Sequence, residues 1–245
     1  MKKIMTLLLC LSLFQISSNA QFGKLKNAAK KAEAKLKSAG SDLSTDEIGN
    51  GLKEALNVGV GKATDFLSAE NGYLNSQYKI LLPEEAQKVI KKVKRVPGFE
   101  DADEKMTKLL NEAAEKAATK AKPIFVSAIK QMTIKDAMNI LMGEENAATQ
   151  YLDKTTRKQL FKEFMPVVQQ SLDEVNARTY WTKIAKAYNK VSFGKKVNPE
   201  LDQHVTDKAL DGMFSLVEVK ELDIRKNKSA RSSDLLTKVF AKQDK

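Results

Sequence analysis

Apolar residues recur at helical spacing along most of this chain. The first such stripe passes through Ile48 and Leu52, and it follows Ser44 and Glu47, which have the spacing of a capping box. The pattern is broken only at residues 69–82, where a short extended loop is expected. No longer segment alternates as a strand would. The sequence therefore predicts an all-α fold, a single-domain multi-helix bundle with one extended loop.

Capping residues divide the later helical pattern into elements. Thr133 and Asp136 have the spacing expected at the start of a short helix. Residues 147–152 read as one further turn of helix, and Thr155 or Thr156 as the start of a separate, longer helix. We therefore expect two helices in this part of the chain.

Small residues recur every four positions on the first predicted helix. Gly51, Ala55, Gly59 and Ala63 lie beside its apolar stripe. Glycine inside a helix costs about 1 kcal/mol relative to alanine. A row of small residues is best explained by another helix that packs closely against it.

The N-terminal residues have the three parts of a secretory signal. Lys2 and Lys3 precede an apolar run over residues 4–16, and small residues lead up to Ala20, after which we expect cleavage. The run is too short to span a bilayer, which needs about 20 residues. Cleavage would remove Cys10, the one cysteine, so disulfides and thiolate metal sites are excluded. The predicted location is the periplasm.

The chain divides into four predicted parts. They are a signal peptide (1–20), a basic Lys/Ala-rich arm (21–43), a helical domain (44–241) and a tail (242–245).

The arm carries six lysines and a weak apolar stripe, which suits contact with an anionic membrane or polymer surface. A solvated lysine face on a frayed arm is the simpler interpretation. The lysines are Lys24, Lys26, Lys30, Lys31, Lys35 and Lys37.

No pattern of residues in the sequence points to a catalytic site. His204 is the only histidine, and no nucleophile or base has a partner at a recognisable spacing. We predict no metal site and no cofactor. Carboxylate pairs for hydrolysis or elimination stay open, because such pairing is spatial rather than sequential.

The formal charge of +11 raises nucleic acid as a partner. However, acids flank the lysine cluster of residues 88–95 and no binding motif accompanies it. An exported protein also meets little chromosomal DNA, so we expect no nucleic-acid partner.

Seven collinear motifs, together with Leu82-Pro-Glu84, resemble a bacterial family catalogued as domain of unknown function 4197. The motifs are residues 51–56, 72–75, 122–126, 132–137, 147–151, 208–214 and 234–240. The resemblance covers roughly residues 44 to 241. It implies an exported, helical, single-domain protein, and it supplies no activity and no catalytic residues.

Six polar residues could line a cleft that holds a carboxylate or phosphate if they converge in space. The alternative assigns them to helix caps and buried hydrogen bonds. They are Thr133, Asp136, Gln150, Tyr151, Arg225 and Arg231.

The favoured hypothesis is a non-enzymatic envelope protein that binds a small ligand, a lipid or another envelope component. The alternatives are a carboxylate-dependent hydrolase or lyase, and a peripheral membrane protein that uses the basic arm.

Overall fold

The computed structural model describes residues 43–191 and 201–241. Nine α-helices lie within these residues, and no strand does, so the predicted all-α class is confirmed. The helices are α1 (Thr45–Leu67), α2 (Glu84–Val93), α3 (Ala102–Ala118), α4 (Ala121–Gln131), α5 (Ile134–Leu141), α6 (Ala147–Glu174), α7 (Ala177–Val191), α8 (Leu201–Lys226) and α9 (Asp234–Phe240). The predicted signal peptide, most of the basic arm with its six lysines, and the tail lie outside the described residues. No helix among the described residues is long and apolar enough to cross a membrane.

The predicted capping box at Ser44 and the predicted cap at Thr133 are both present, and the second is also a capping box. The Glu47 backbone N–H donates to Ser44 Oγ at 3.2 Å, and the Ser44 N–H donates to the Glu47 carboxylate at 2.7 Å. At α5 the Asp136 N–H donates to Thr133 Oγ1 at 3.1 Å, and the Thr133 N–H donates back to the Asp136 carboxylate at 3.1 Å. Each box satisfies two backbone donors that a helix start leaves unpaired, so these caps fix where α1 and α5 begin.

The longest helices, α6 and α8, pack against each other at the centre of the bundle. α3 packs on α6 and α8, and α1 packs on α8 with α4, α5 and α9 around it. Phe125 of α4 and Phe214 of α8 meet edge to face, with ring centroids 5.6 Å apart. α2 and α7 pack side by side, and both contact α3.

The expectation of two helices between residues 147 and 175 is wrong. α6 is one helix of 28 residues. Thr155 Oγ1 donates to the Tyr151 carbonyl at 2.7 Å, and Thr156 Oγ1 donates to the Leu152 carbonyl at 2.6 Å. These hydroxyls bond back to the preceding turn instead of capping a new helix, as threonines inside helices do.

Other helices approach α1 closely at its glycines, as its row of small residues predicts. A Cβ on Gly51 would lie 2.7 Å from Val239 Cγ2 of α9, which is closer than carbon atoms pack. At Gly59 the nearest atom would be Lys220 Cβ of α8 at 3.6 Å, an ordinary contact. Glycine is therefore required by packing at the first of these positions and not at the second.

Candidate functional site

The longest non-helical segment among the described residues lies between α1 and α2 and is anchored by a buried carboxylate. Glu115 of α3 accepts hydrogen bonds from the backbone N–H groups of Asn71, Tyr73 and Leu74, at 3.1, 3.2 and 3.3 Å. Burial raises the pKa of Glu115, although the three N–H donors act in the opposite direction. The carboxylate replaces the backbone partners that a helix would otherwise give this turn.

Two further buried side chains fix the same segment. The Tyr73 hydroxyl donates to the Ala209 carbonyl of α8 at 2.7 Å. Asn111 of α3 accepts from the Ile80 N–H and donates to the Ile80 carbonyl, both at 2.8 Å. Its amide group therefore pairs with Ile80 as a neighbouring strand would, and this holds the chain extended without a sheet.

Residues 79–84 form what we call the ridge. The Leu82 carbonyl accepts from Gln87 Nε2 at 2.7 Å, and His204 Nε2 of α8 lies 2.7 Å from the Leu81 carbonyl oxygen. Ile80 and Leu82 are buried, with 2% and 5% of their surface exposed, whereas Leu81 between them is 58% exposed. The ridge thus holds one large apolar side chain out into solvent on a fixed backbone.

A groove lies on each side of the ridge. The first groove runs between the ridge, α2 and α3, encloses about 540 Å³, and includes Ile90, Lys88 and Lys91 in its lining. The second runs between the ridge and α8, encloses about 480 Å³, and includes His204 and Lys208. Leu81 and Leu82 line both grooves, so the two grooves are open to the same bound molecule.

Three carboxylates line the grooves, and each is paired with a cation. Glu84 lines both grooves and lies 3.9 Å from Lys88. Asp103 in the first groove pairs with Lys94 at 2.8 Å, and this hydrogen bond lowers the pKa of Asp103 and raises that of Lys94. Asp211 in the second groove pairs with Arg157 at 3.0 Å and with Lys208 at 3.3 Å. Side chains held in ion pairs of this kind suit binding and orientation of a ligand.

A sequence profile of the family described as "Protein of unknown function (DUF4197)" matches residues 42–241. The chain belongs to the DUF4197 family. No curated protein and no solved structure matches it. Among the described residues of this DUF4197 chain, no group of three or more histidine, cysteine, aspartate or glutamate side chains could hold a metal ion.

The six predicted cleft residues of this DUF4197 chain fall into two groups. Asp136, in the cap of α5 with Thr133, lies close enough to Tyr151 that its charge adds to burial in raising the pKa of that phenol. Gln150, nearby in sequence, donates to Asn146 Oδ1 at 2.8 Å on the exposed side of α6. These contacts agree with the capping interpretation, and a ligand role for the four residues stays a prediction.

The two arginines lie near the opposite end of α5. Arg225 Nη2 donates to the Ile140 carbonyl at 2.9 Å, and Arg231 Nη2 donates to the Arg225 carbonyl at 3.1 Å. Both side chains are buried. The structure therefore does not bring the arginines to the cap of α5, since the eight residues of that helix separate them by about 12 Å. Their predicted ligand role is likewise left as a prediction.

Arg225 belongs to a buried ion pair that joins three helices. Its guanidinium donates to the Glu221 carboxylate at 2.8 Å. Glu221 also accepts from the backbone N–H groups of Ala148 and Thr149 at 3.0 and 2.8 Å, so it places a negative charge at the positive end of α6. The cavity beside the pair is about 20 Å³, room for a single water, which marks this cluster as structural.

Sequence reasoning missed Asn111, Glu115 and Glu221. Asn111 and Glu115 are polar residues among the buried alanines of α3, and that contrast was the one signal that could have found them. Their partners lie on a loop 31 to 44 residues earlier in the chain, so spacing alone could not identify them.

Proposed function

We propose that this DUF4197 chain is an exported, non-enzymatic protein of the cell envelope that binds an extended segment of a partner protein at the ridge. The signal-like residues 1–20 support export, and the family and fold are compatible with it. The observation that carries the proposal is Leu81, held in solvent on a fixed backbone between two grooves.

The anchoring of the ridge supports a role in recognition. Asn111 and Glu115 of α3 and His204 of α8 all bond to one loop, and the first two are buried. These anchors pair backbone groups that the loop buries, and they also fix the path of its exposed residues. Binding residues are commonly carried by loops that a rigid scaffold positions.

The chemistry of the ridge suits a peptide. Leu81 offers an apolar contact, and its backbone N–H donates to no acceptor among the residues that the structure describes. An extended partner could place a carbonyl on this N–H and an apolar side chain against Leu82 and Ile90 in the first groove. Lys88 and Lys91 at the same groove would favour a partner segment that carries acidic residues.

The electrostatics favour binding over carboxylate-dependent hydrolysis. A general acid needs a raised pKa and access to substrate. Asp103 and Asp211 are paired with cations, and the pKa of Asp103 is lowered. Glu115 has a raised pKa, but its oxygens are occupied by the loop backbone.

The test compares two exposed apolar residues in the mature chain beginning at Gln21. A displayed library of random peptides is selected on the immobilised protein, and enriched peptides are measured by fluorescence anisotropy. Leu81→Ser should lower the affinity for the enriched peptides at least about tenfold, as loss of a central apolar contact does. Met142→Ser is the matched control, because Met142 is 54% exposed and lies in neither groove.

The control should bind the selected peptides with unchanged affinity, and both variants should unfold like the parent. If no peptide is enriched, or if the two serine variants bind alike, the ridge is not a peptide site.

A further inference from the structure

A second surface of the molecule is strongly basic. α2 and α7 pack side by side, and each directs a row of cations away from the core. The cations of both rows are exposed, at helical spacings of three or four residues. We call them the α2–α7 face: Lys88, Lys91, Lys92 and Arg95 from α2 and the residues after it, and Lys183, Lys186 and Lys190 from α7.

On the α7 part of this face the positive charge has no ion-pair partner among the described residues, whereas Glu84 and Glu85 lie at the start of α2. α7 contains no acidic residue in its 15 positions. Among the described residues, Lys91, Arg95 and the three α7 lysines form no ion pair, and Lys88 reaches only Glu84, at 3.9 Å. Lys186 and Lys190 are like charges four residues apart, a spacing that destabilises a helix. The face therefore costs the folded protein stability, and an anionic partner would remove that cost.

One aromatic ring of α7 lies beneath a lysine of this face. Lys92 Nζ lies 5.3 Å from the centroid of Tyr188, which joins the two helices across the seam. At the other end of α7, Lys105 covers Tyr180, whose pKa is raised by burial and by the charges of Asp101 and Glu100. The acids therefore lie at the start of α7, and the basic face occupies its C-terminal half.

We propose that the α2–α7 face docks on the surface of an anionic phospholipid bilayer. Rows of cations on two adjacent helices offer a broad surface rather than a pocket, which suits a plane of headgroups. Six of the seven cations are lysines, which act as point charges on diffuse negative charge, whereas specific phosphate recognition favours the arginine fork. A tyrosine beneath one of the lysines suits the boundary between headgroups and water.

The experiment uses the mature chain and sedimentation with vesicles of equal parts phosphatidylglycerol and phosphatidylcholine. The test variant replaces Lys183, Lys186 and Lys190 by glutamine. It should bind about a hundredfold more weakly, because each basic residue near such a surface contributes about a fivefold factor and the three factors multiply. Parent protein should not bind pure phosphatidylcholine, and 0.5 M salt should release it.

The matched control replaces Lys154, Lys158 and Lys162 of α6 by glutamine. These lysines are also exposed and form no ion pair among the described residues. Their replacement changes the net charge by the same amount as the α7 variant does. The control should bind within about twofold of the parent if the charge of the α2–α7 face matters rather than net charge. Neither set contains a residue of the ridge or its grooves, so this result and the peptide result can fail separately.

A third variant replaces Lys30, Lys31 and Lys35 of the N-terminal arm by glutamine. The proposal would be overturned if the α7 and α6 variants lost the same vesicle affinity, or if the arm variant alone lost affinity. So would binding of the parent to soluble polyphosphate but not to the anionic vesicles, which would indicate a polyanion rather than a bilayer. Helical circular dichroism of every variant must equal that of the parent. If the α7 triple variant does not fold, the single Lys190→Gln variant should still bind the anionic vesicles several-fold more weakly than the parent.

Discussion

The geometry of the ridge can be tested through the side chain that holds its backbone. Asn111 is fully buried, and the variant Asn111→Ala removes its bonds to the N–H and carbonyl of Ile80 and to the Thr107 carbonyl. Ile80 is itself 2% exposed, so water cannot simply take the place of the amide. The matched control is Gln87→Ala. It removes the hydrogen bond that the exposed Gln87 side-chain amide donates to the Leu82 carbonyl.

The expected cost follows from burial. Leaving a buried polar group unpaired costs about 1–3 kcal/mol, and Asn111→Ala leaves the two groups of Ile80 unpaired. We therefore expect the free energy of unfolding to fall by about 2–6 kcal/mol, with a small addition for the cavity. Gln87→Ala removes a single, part-buried hydrogen bond made by an exposed side chain, so its cost should be about 0.5 kcal/mol.

Two measurements together decide this prediction. Urea unfolding gives the free energies, and native-state hydrogen exchange reports whether the Ile80 amide is protected. Asn111→Ala should lose stability and also expose the Ile80 amide to exchange, whereas Gln87→Ala should lose little stability and leave that amide protected. If the two variants lose the same stability, or if Ile80 stays protected without Asn111, the ridge is held by something other than this side chain.

Three further predictions concern packing and charge. Gly51→Ala should lower the melting temperature, because its Cβ would lie 2.7 Å from a side chain of α9. In the same thermal melts Gly59→Ala should add up to about 1 kcal/mol of stability. Equal effects of the two substitutions would argue against close packing at Gly51. Glu221→Gln should cost about 3–5 kcal/mol in urea unfolding, since it leaves Arg225 buried without its carboxylate, and a cost below 1 kcal/mol would contradict a structural role for the pair. Because the pKa of Glu115 is raised in the folded protein, its protonation contributes stability that is fully present below pH 4.5, the ordinary pKa, and is lost as pH rises through the raised pKa. In urea unfolding across that pH window, the parent should lose stability relative to Glu115→Gln. Parallel curves of stability against pH would refute the assignment.

Local features of the fold were predictable from sequence. The caps at Ser44 and Thr133 were found because a capping box joins residues only three positions apart. The error at α6 has an equally local cause, since Thr155 and Thr156 favour helix starts as a class. In the folded chain their hydroxyls bond to carbonyls of the preceding turn. Residue type alone does not distinguish these two roles.

The candidate site was not predictable, because its contacts join distant parts of the chain. Tyr73 and Ala209 are 136 positions apart, and His204 and Leu81 are 123 apart. The sequence showed that residues 69–82 break the helical pattern, but it could not show which side chains would hold them. Packing of α3 and α8 against the loop decides that, and this packing depends on the whole core.

Helix α2 belongs to both proposed surfaces, so the two cannot act independently. Lys88 and Lys91 line the first groove beside the ridge, and both are also part of the α2–α7 face. A bilayer on that face would lie next to the ridge and would neutralise cations that an acidic partner segment needs. Linkage then requires reciprocity: whatever factor the lipid surface applies to the affinity for the partner, the partner applies to the affinity for the surface. Competition for these two lysines makes that factor unfavourable, so the bound partner should loosen the protein from the membrane.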